Sequence, residues 1–274
     1  MTSRIPSLRS WLLGRRLRHL IDSTGIAHRD IAERLNWHRS DLSRFLNGQR
    51  GIPNPELGLL LFTCGVATRA QRQDYLALNA DARREEWWHD GRDSSLLAHT
   101  LDELETQAAT ILSFTPGVLP APLQTDEYAE AMGTTARRHV FDQPTQPNWH
   151  FVVTRESLTP GGLPPRVIQE QARHLFWEST RRTVTIQVVP HTVLSHDIPF
   201  RLVTVAEQGS LVHLDLGESA LFLENQRTID RYTVLADKLI GTCVSADRSR
   251  DLLAALADPV VTGSACSDGG EEGR

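Results

Sequence analysis

The chain has 274 residues, 40% of them hydrophobic and 23% charged, with a formal net charge of −5, an ordinary globular composition with room for about two domains. No apolar run approaches the roughly 20 residues that a membrane span requires. Three scattered cysteines, Cys64, Cys243 and Cys266, fit neither a disulfide framework nor a zinc pattern. The start "MTSRIPSLRSWLLGRRLRHL" has a short apolar patch but no small-residue cleavage site, so a cytoplasmic, reduced protein is expected rather than a secreted one. Residues 1–65 hold ten arginines against five acids, a balance of +5, so the remainder must carry −10 to reach the total. A basic head on an acidic body suits a nucleic-acid contact module joined to a soluble partner domain.

In chain order, Leu13, Leu17, Leu20 and Ile21 recur at helical spacing and predict an amphipathic helix over residues 8–23, ending near Gly25. "IAHRDIAERLN" places Ile26, Ile31, Ala32 and Leu35 on one face of a second helix. After Asn36-Trp37, a third buries Leu42, Phe45 and Leu46 and stops at Gly48. "PNPELGLLLFTCG" opens a fourth, and "TRAQRQDYLALNADARREEWW" reads as a long, charged fifth. These make a small all-α domain over 1–86, with 87–95, "WWHDGRDSS", as the expected linker and Trp87-Trp88 as interdomain packing.

"LLAHTLDELETQAATILSF" reads as one further amphipathic helix. The pattern then changes: "WHFVVTRESL" (149–158) is a candidate strand, and "PPRVIQEQARHLFWESTRR" is a helix opened by Pro164 and Pro165. "TVTIQVVP" (183–190) alternates as a strand should. "FRLVTVAEQGSLVHLDL" reads as two strands joined at Gln208-Gly209, "SALFLEN" as another, and two closing helices follow. Residues 96–257 are thus expected to form one α+β domain with a mostly antiparallel sheet, and 258–274 a disordered tail.

Residues 26–50, "IAHRDIAERLNWHRSDLSRFLNGQR", give helix, short turn, helix, with small Ala32 where two helices cross and Leu35, Trp37 and Leu42 to lock their angle. The second of these helices presents Arg39, Ser40, Ser43 and Arg44 outward, and an arginine so placed can donate two hydrogen bonds to O6 and N7 of guanine. The stretch resembles the Xre family of repressor-type helix-turn-helix domains, in Ile31-Ala32-Glu33-Arg34-Leu35, Ser40, Ser43-Arg44, Gly48 and Arg50. The resemblance implies base reading by Arg39, Ser40 and Arg44, and phosphate contacts by His28, Ser43, Asn47, Gln49 and Arg50. Departures are Asn36 for the turn glycine, His38 for the serine or threonine cap, His28 for a glutamine, and apolar Ile21 and Leu46 where the family often pairs arginine with glutamate.

"ARREEWW" at the start of the linker and, beyond it, "TPGVLPAPLQTDEYA", "RTVTIQVVP" and "GESALFLENQRTIDRYTVLADKL" resemble the C-terminal domain of actinobacterial WhiJ-like, antitoxin-like transcriptional regulators. That resemblance implies a regulator binding double-stranded DNA as a homodimer, its C-terminal domain sensing a small partner protein or a ligand. The alternative it leaves open is an antitoxin-like module that sequesters a small partner and binds DNA for autoregulation. No enzyme, cofactor or metal site is expected. His191, His196 and Asp197 fit no standard zinc spacing, and neither Ser157 nor Ser219 lies in a G-x-S-x-G elbow.

Overall fold

The apolar spacing of Leu13, Leu17 and Ile21 produces α1 (Leu8–Ser23) with the bounds the sequence predicts. In the computed structural model, which describes residues 7–80, 86–89, 94–190, 198–217 and 219–258, it is followed by α2 (His28–Arg34), α3 (Arg39–Leu46), α4 (Asn54–Thr63) and α5 (Arg69–Asn79). Their inward faces share one core that includes Leu17, Ile21, Ile31, Leu42, Phe45, Leu57 and Leu61. Helix α5 is shorter than expected. The Asn79 amide ties its end to the Ile52 carbonyl at 2.7 Å and the Asn54 side chain at 2.8 Å, and Ala80 is already extended.

The expected linker holds a strand instead. β1 (Glu86–His89) pairs antiparallel with β7 (Ala220–Leu223), setting Trp87 opposite Phe222. Four residues are enough for this role because β7 would otherwise end the sheet with unpaired backbone groups. The single helix expected over 96–114 is also corrected. Helix α6 (Ser94–Gln107) stops and β2 (Ala108–Thr115) begins directly. β2 lies between two strands, and its enclosed part, Ile111 to Phe114, is too short a run for its period to tell strand from helix.

Helix α7 (Asp126–Met132), β3 (Asn148–Thr154), the short α8 (Arg155–Leu158), α9 (Pro165–Glu178) and β4 (Val184–Val189) come next. The expected strand over 149–158 therefore ends at Thr154, whose hydroxyl caps α8 by accepting from the Ser157 N–H. β5 (Phe200–Val205) and β6 (Gly209–Asp215) form the expected hairpin, with Glu207 and Gly209 at positive φ in the turn. Helices α10 (Gln226–Thr242) and α11 (Ala246–Ala257) close the chain. The expected tail, apart from Asp258, and His191, His196 and Asp197 lie outside the described residues.

The sheet order is β1-β7-β6-β5-β2-β3-β4. β2, β3 and β4 run parallel, and the other neighbours are antiparallel. This is the mostly antiparallel α+β arrangement the sequence implies. One face, with Ile111, Phe151, Ile186, Val203 and Phe222, shares a core with Leu104 of α6, Leu175 of α9 and Leu253 of α11. The other, with Phe114, Val152, Phe200 and Val212, packs against Ile229, Ala236 and Leu239 of α10. Among the described residues no helix is long and apolar enough to cross a membrane.

Helix α1 enters both units. Leu8 and Leu12 belong to the core beneath the sheet, and Leu13, Leu17 and Ile21 to the helical core. Its crossing with α3 is close enough that a Cβ on Gly14 would lie 2.5 Å from the Leu46 carbonyl oxygen. Gly14→Ala is therefore expected to lower the unfolding free energy by about 1–3 kcal/mol through overpacking. Gly58→Ala, in α4 with nothing within 4 Å of the new methyl, should raise it by roughly 0.5–1 kcal/mol. Urea denaturation of the two variants checks the contrast.

Candidate nucleic-acid interface

The turn between α2 and α3 is built by backbone geometry. Asn36 takes φ +55, a left-handed conformation that asparagine tolerates better than most residues. Its N–H donates to Glu33 O at 3.1 Å, and the Trp37 N–H donates to Ala32 O at 2.8 Å, the pair of bonds that closes a helix C-terminus. Ala32 is fully buried. The Trp37 ring meets Phe45 edge-on at 5.4 Å, fixing the angle at which α3 leaves. His38 caps α3 through its backbone only. The far end of α3 repeats the closure, with Gly48 at φ +69 and the Gln49 N–H donating to Arg44 O at 2.9 Å.

With Leu42, Phe45 and Leu46 buried, the remaining positions of α3 face outward, and Arg39, Ser40, Ser43 and Arg44 are all exposed. Arg39 pairs with Glu33 of α2 at 3.2 Å. Asp41 takes Arg50 at 2.5 Å and Arg44 at 3.8 Å, while the Arg50 guanidinium lies 5.4 Å from the Phe45 ring centre. Gln49 and Asn47 are exposed beside it. His28, the first residue of α2, holds Asp22 at 2.9 Å. Ile21 and Leu46, apolar where the resembled family often has an ion pair, are both buried in the helical core; an apolar pair in such a place carries no desolvation cost.

A shallow cleft of about 210 Å³ gathers His28, Arg29, Arg39, Ser43 and Asn47 with Arg18 of α1. Arg18 is the residue that the motif did not reveal. Its Nη2 donates to Asn47 Oδ1 at 2.8 Å, joining α1 to the loop after α3. The available signal was its spacing of four from Gly14, which puts both on the face of α1 that meets α3.

These features define a helix-turn-helix protein carrying an α+β domain. A domain of unknown function (DUF5753) matches residues 98–255, more than half of the chain, and the chain belongs to that family. A helix-turn-helix domain matches residues 12–74, the region just described. No curated protein matches the chain. Among solved structures the chain aligns with TrmBL2, an archaeal chromatin protein described as showing a novel mode of DNA binding. Identity is 12% and the TM-score 0.33, over 75% of this chain and 70% of that one, too low a score to carry an argument.

In the sheet domain, groups with chemical potential are mostly committed to structure. The Ser157 hydroxyl is fully buried and donates to Thr154 O at 2.7 Å. Burial pushes the Cys243 thiol up to about 11 and also raises Cys64, which lies in the helical core, so both are neutral thiols at pH 7. Burial also depresses the imidazoles of His150 and His174. It depresses His213 most, helped by the positive charges of Arg201 and Arg137. An imidazole held neutral in the folded state leaves the unfolded chain with more bound protons below about pH 6.5. Stability is then full above that pH and falls as pH drops. The expected slope is up to about 1.4 kcal/mol per pH unit per histidine, and His213→Leu should flatten it in denaturant titrations between about pH 7.5 and 5.5.

Proposed function

We propose that the protein is a sequence-specific DNA-binding transcriptional regulator of the Xre type, with a WhiJ-like sheet domain that receives a signal. The observation that carries this reading is the outward row Arg39, Ser40, Ser43 and Arg44 on a helix whose angle is fixed from beneath, within a region of charge +5. Such a helix suits the major groove, where its first residues meet base edges. Arg39, Ser40 and Arg44 are assigned to base reading. His28, Ser43, Asn47, Gln49 and Arg50 are assigned to phosphates, with Arg18 as an addition.

The ion pairs that hold these arginines do not oppose that role. Arg39, Arg44 and Arg50 are each more than half exposed, and exposed pairs are worth roughly 0–1 kcal/mol. Exchange of Asp41 or Glu33 for a phosphate or a base edge therefore costs little.

Arg44→Ala is expected to relax discrimination at one base pair by about 1–3 kcal/mol. Arg50→Ala should weaken specific and scrambled duplexes alike and reduce the salt slope by about one. Gel-shift titration on the protein's own promoter fragment and a scrambled duplex, at two salt concentrations, measures both. Equal losses for both variants on every duplex would remove the division of roles. Binding that fades equally for both duplexes as salt rises would leave an electrostatic contact only, and favour the partner-sequestering module.

A reader of this type uses two copies on half-sites one helical turn apart, so we place a homodimer in solution. Light scattering coupled to size-exclusion chromatography at micromolar concentration should report twice the 30.7 kDa chain mass. A stable monomer there would rule it out.

A further inference from the structure

On the sheet face beneath α6 one transverse row of polar side chains crosses apolar neighbours such as Ile111, Val203 and Leu211. Ser113 on β2, Arg201 on β5 and His213 on β6 are register partners, so their side chains leave the sheet on the same side. Arg201 Nη1 donates to Glu105 Oε1 at 2.7 Å. Glu105, itself buried, also accepts from Arg137 Nη1 at 3.0 Å and Nη2 at 2.9 Å. Arg137 has Asp102 besides. Arg201 thus shares one carboxylate with a guanidinium that already holds two.

His213 is 2% exposed, and neither of its ring nitrogens has a hydrogen-bond partner. Its ring stands 4.8 Å from that of Phe222. Packing alone would favour leucine or phenylalanine here, since an orphaned buried polar group weakens the fold.

Arg201 and His213 both line a cavity of about 370 Å³, within the size range of small-molecule sites. One wall is the loop after β2, with Val118, Leu119 and Pro120. That loop is held rigid by side chains. Gln124 Nε2 donates to Leu119 O at 2.6 Å, and the Tyr128 hydroxyl accepts from the Leu119 N–H at 3.2 Å while donating to Ser157 O at 2.8 Å. Asp215, two residues along β6 from His213, stands exposed at the cavity rim.

We propose that this cavity binds a small monocarboxylate with an apolar body, its carboxylate on Arg201 and on the His213 ring turned to face it, and its body against Val118, Leu119 and Pro120. A planar guanidinium matches a carboxylate in two parallel bonds, and a neutral imidazole adds one N–H donor. The nearby carboxylates of Glu105 and Asp215 disfavour a dianion, which selects a singly charged acid over a phosphate ester. Naming that molecule as the signal of the regulator rests on the function proposed above; the site itself does not.

The test is calorimetric titration of the full chain, without DNA, with sodium benzoate and with benzamide as the uncharged isostere. Benzoate should saturate at millimolar concentration and bind at least about tenfold more tightly than benzamide. Arg201→Gln should remove that advantage and leave benzamide unchanged. His213→Leu should weaken benzoate and, in the absence of ligand, raise the thermal midpoint, since it deletes an unpaired polar ring. Equal binding of benzoate and benzamide, benzoate affinity that survives Arg201→Gln, or no saturable heat overturns the site. A lowered midpoint in His213→Leu assigns the imidazole to structure and removes it from the site. Because no DNA is present, these outcomes are independent of whether α3 reads a sequence.

Discussion

The crossing of α1 over α3 is the contact on which the rest of the arrangement depends. Gly14 approaches the last carbonyls of α3, and Gly48, just past the end of α3, approaches the α1 backbone at Ser10 and Trp11. A side chain on either would force the helices apart. The same α1 begins in the other unit. Its first two N–H groups, on Leu8 and Arg9, donate to the Glu224 carboxylate at 2.6 and 3.3 Å, directly after β7, where a negative charge also suits the helix dipole. Arg16 then holds Glu103 at 2.7 Å, and Arg9 reaches the Ala77 carbonyl of α5. The outward helix is thereby fixed to the sheet through one rigid element rather than through a tether.

That placement gives meaning to the acidic residues scattered through the basic head. Glu33 and Asp41 lie within reach of the arginines assigned to DNA and pair with them at the surface. The Phe45 ring beneath Arg50 adds a stacking contact of the kind that favours guanidinium over ammonium. A positively charged surface is thus presented in an ordered form, and less side-chain entropy remains to be lost when it meets an anionic partner.

Much of the helical half was legible because its period is 3.6 and its stops are chemical: Asn36 and Gly48 both adopt the left-handed geometry their residue types favour. The β5–β6 hairpin was legible from alternation on either side of Gln208-Gly209. What escaped the sequence depends on long-range partners. β1 exists because β7 offers it an edge, and β2 because β3 and β5 flank it. Arg18 matters only once Gly14 has brought α1 against α3. The Ser113–Arg201–His213 row is set by strand register, and Glu105 joins it from 96 residues away; no local pattern encodes that meeting.

Helix α6 connects these two regions through residues two apart. Glu103 faces α1 and takes Arg16; Glu105 faces the sheet and takes Arg201 and Arg137. The path from the cavity to the outward helix is therefore short: Arg201, Glu105, α6, Glu103, Arg16, then α1 against Leu46. Contiguity by itself transmits nothing, because a bound molecule shifts an equilibrium only by its differential affinity for two states. The geometry does say where such a difference would be generated. A carboxylate that draws Arg201 toward the cavity loosens its hold on Glu105, a buried acid that would then be neutralised by Arg137 alone, with α6 free to settle toward Arg137. The same helix carries Glu103, so a displacement there reaches α1 as a change in the Arg16–Glu103 pair.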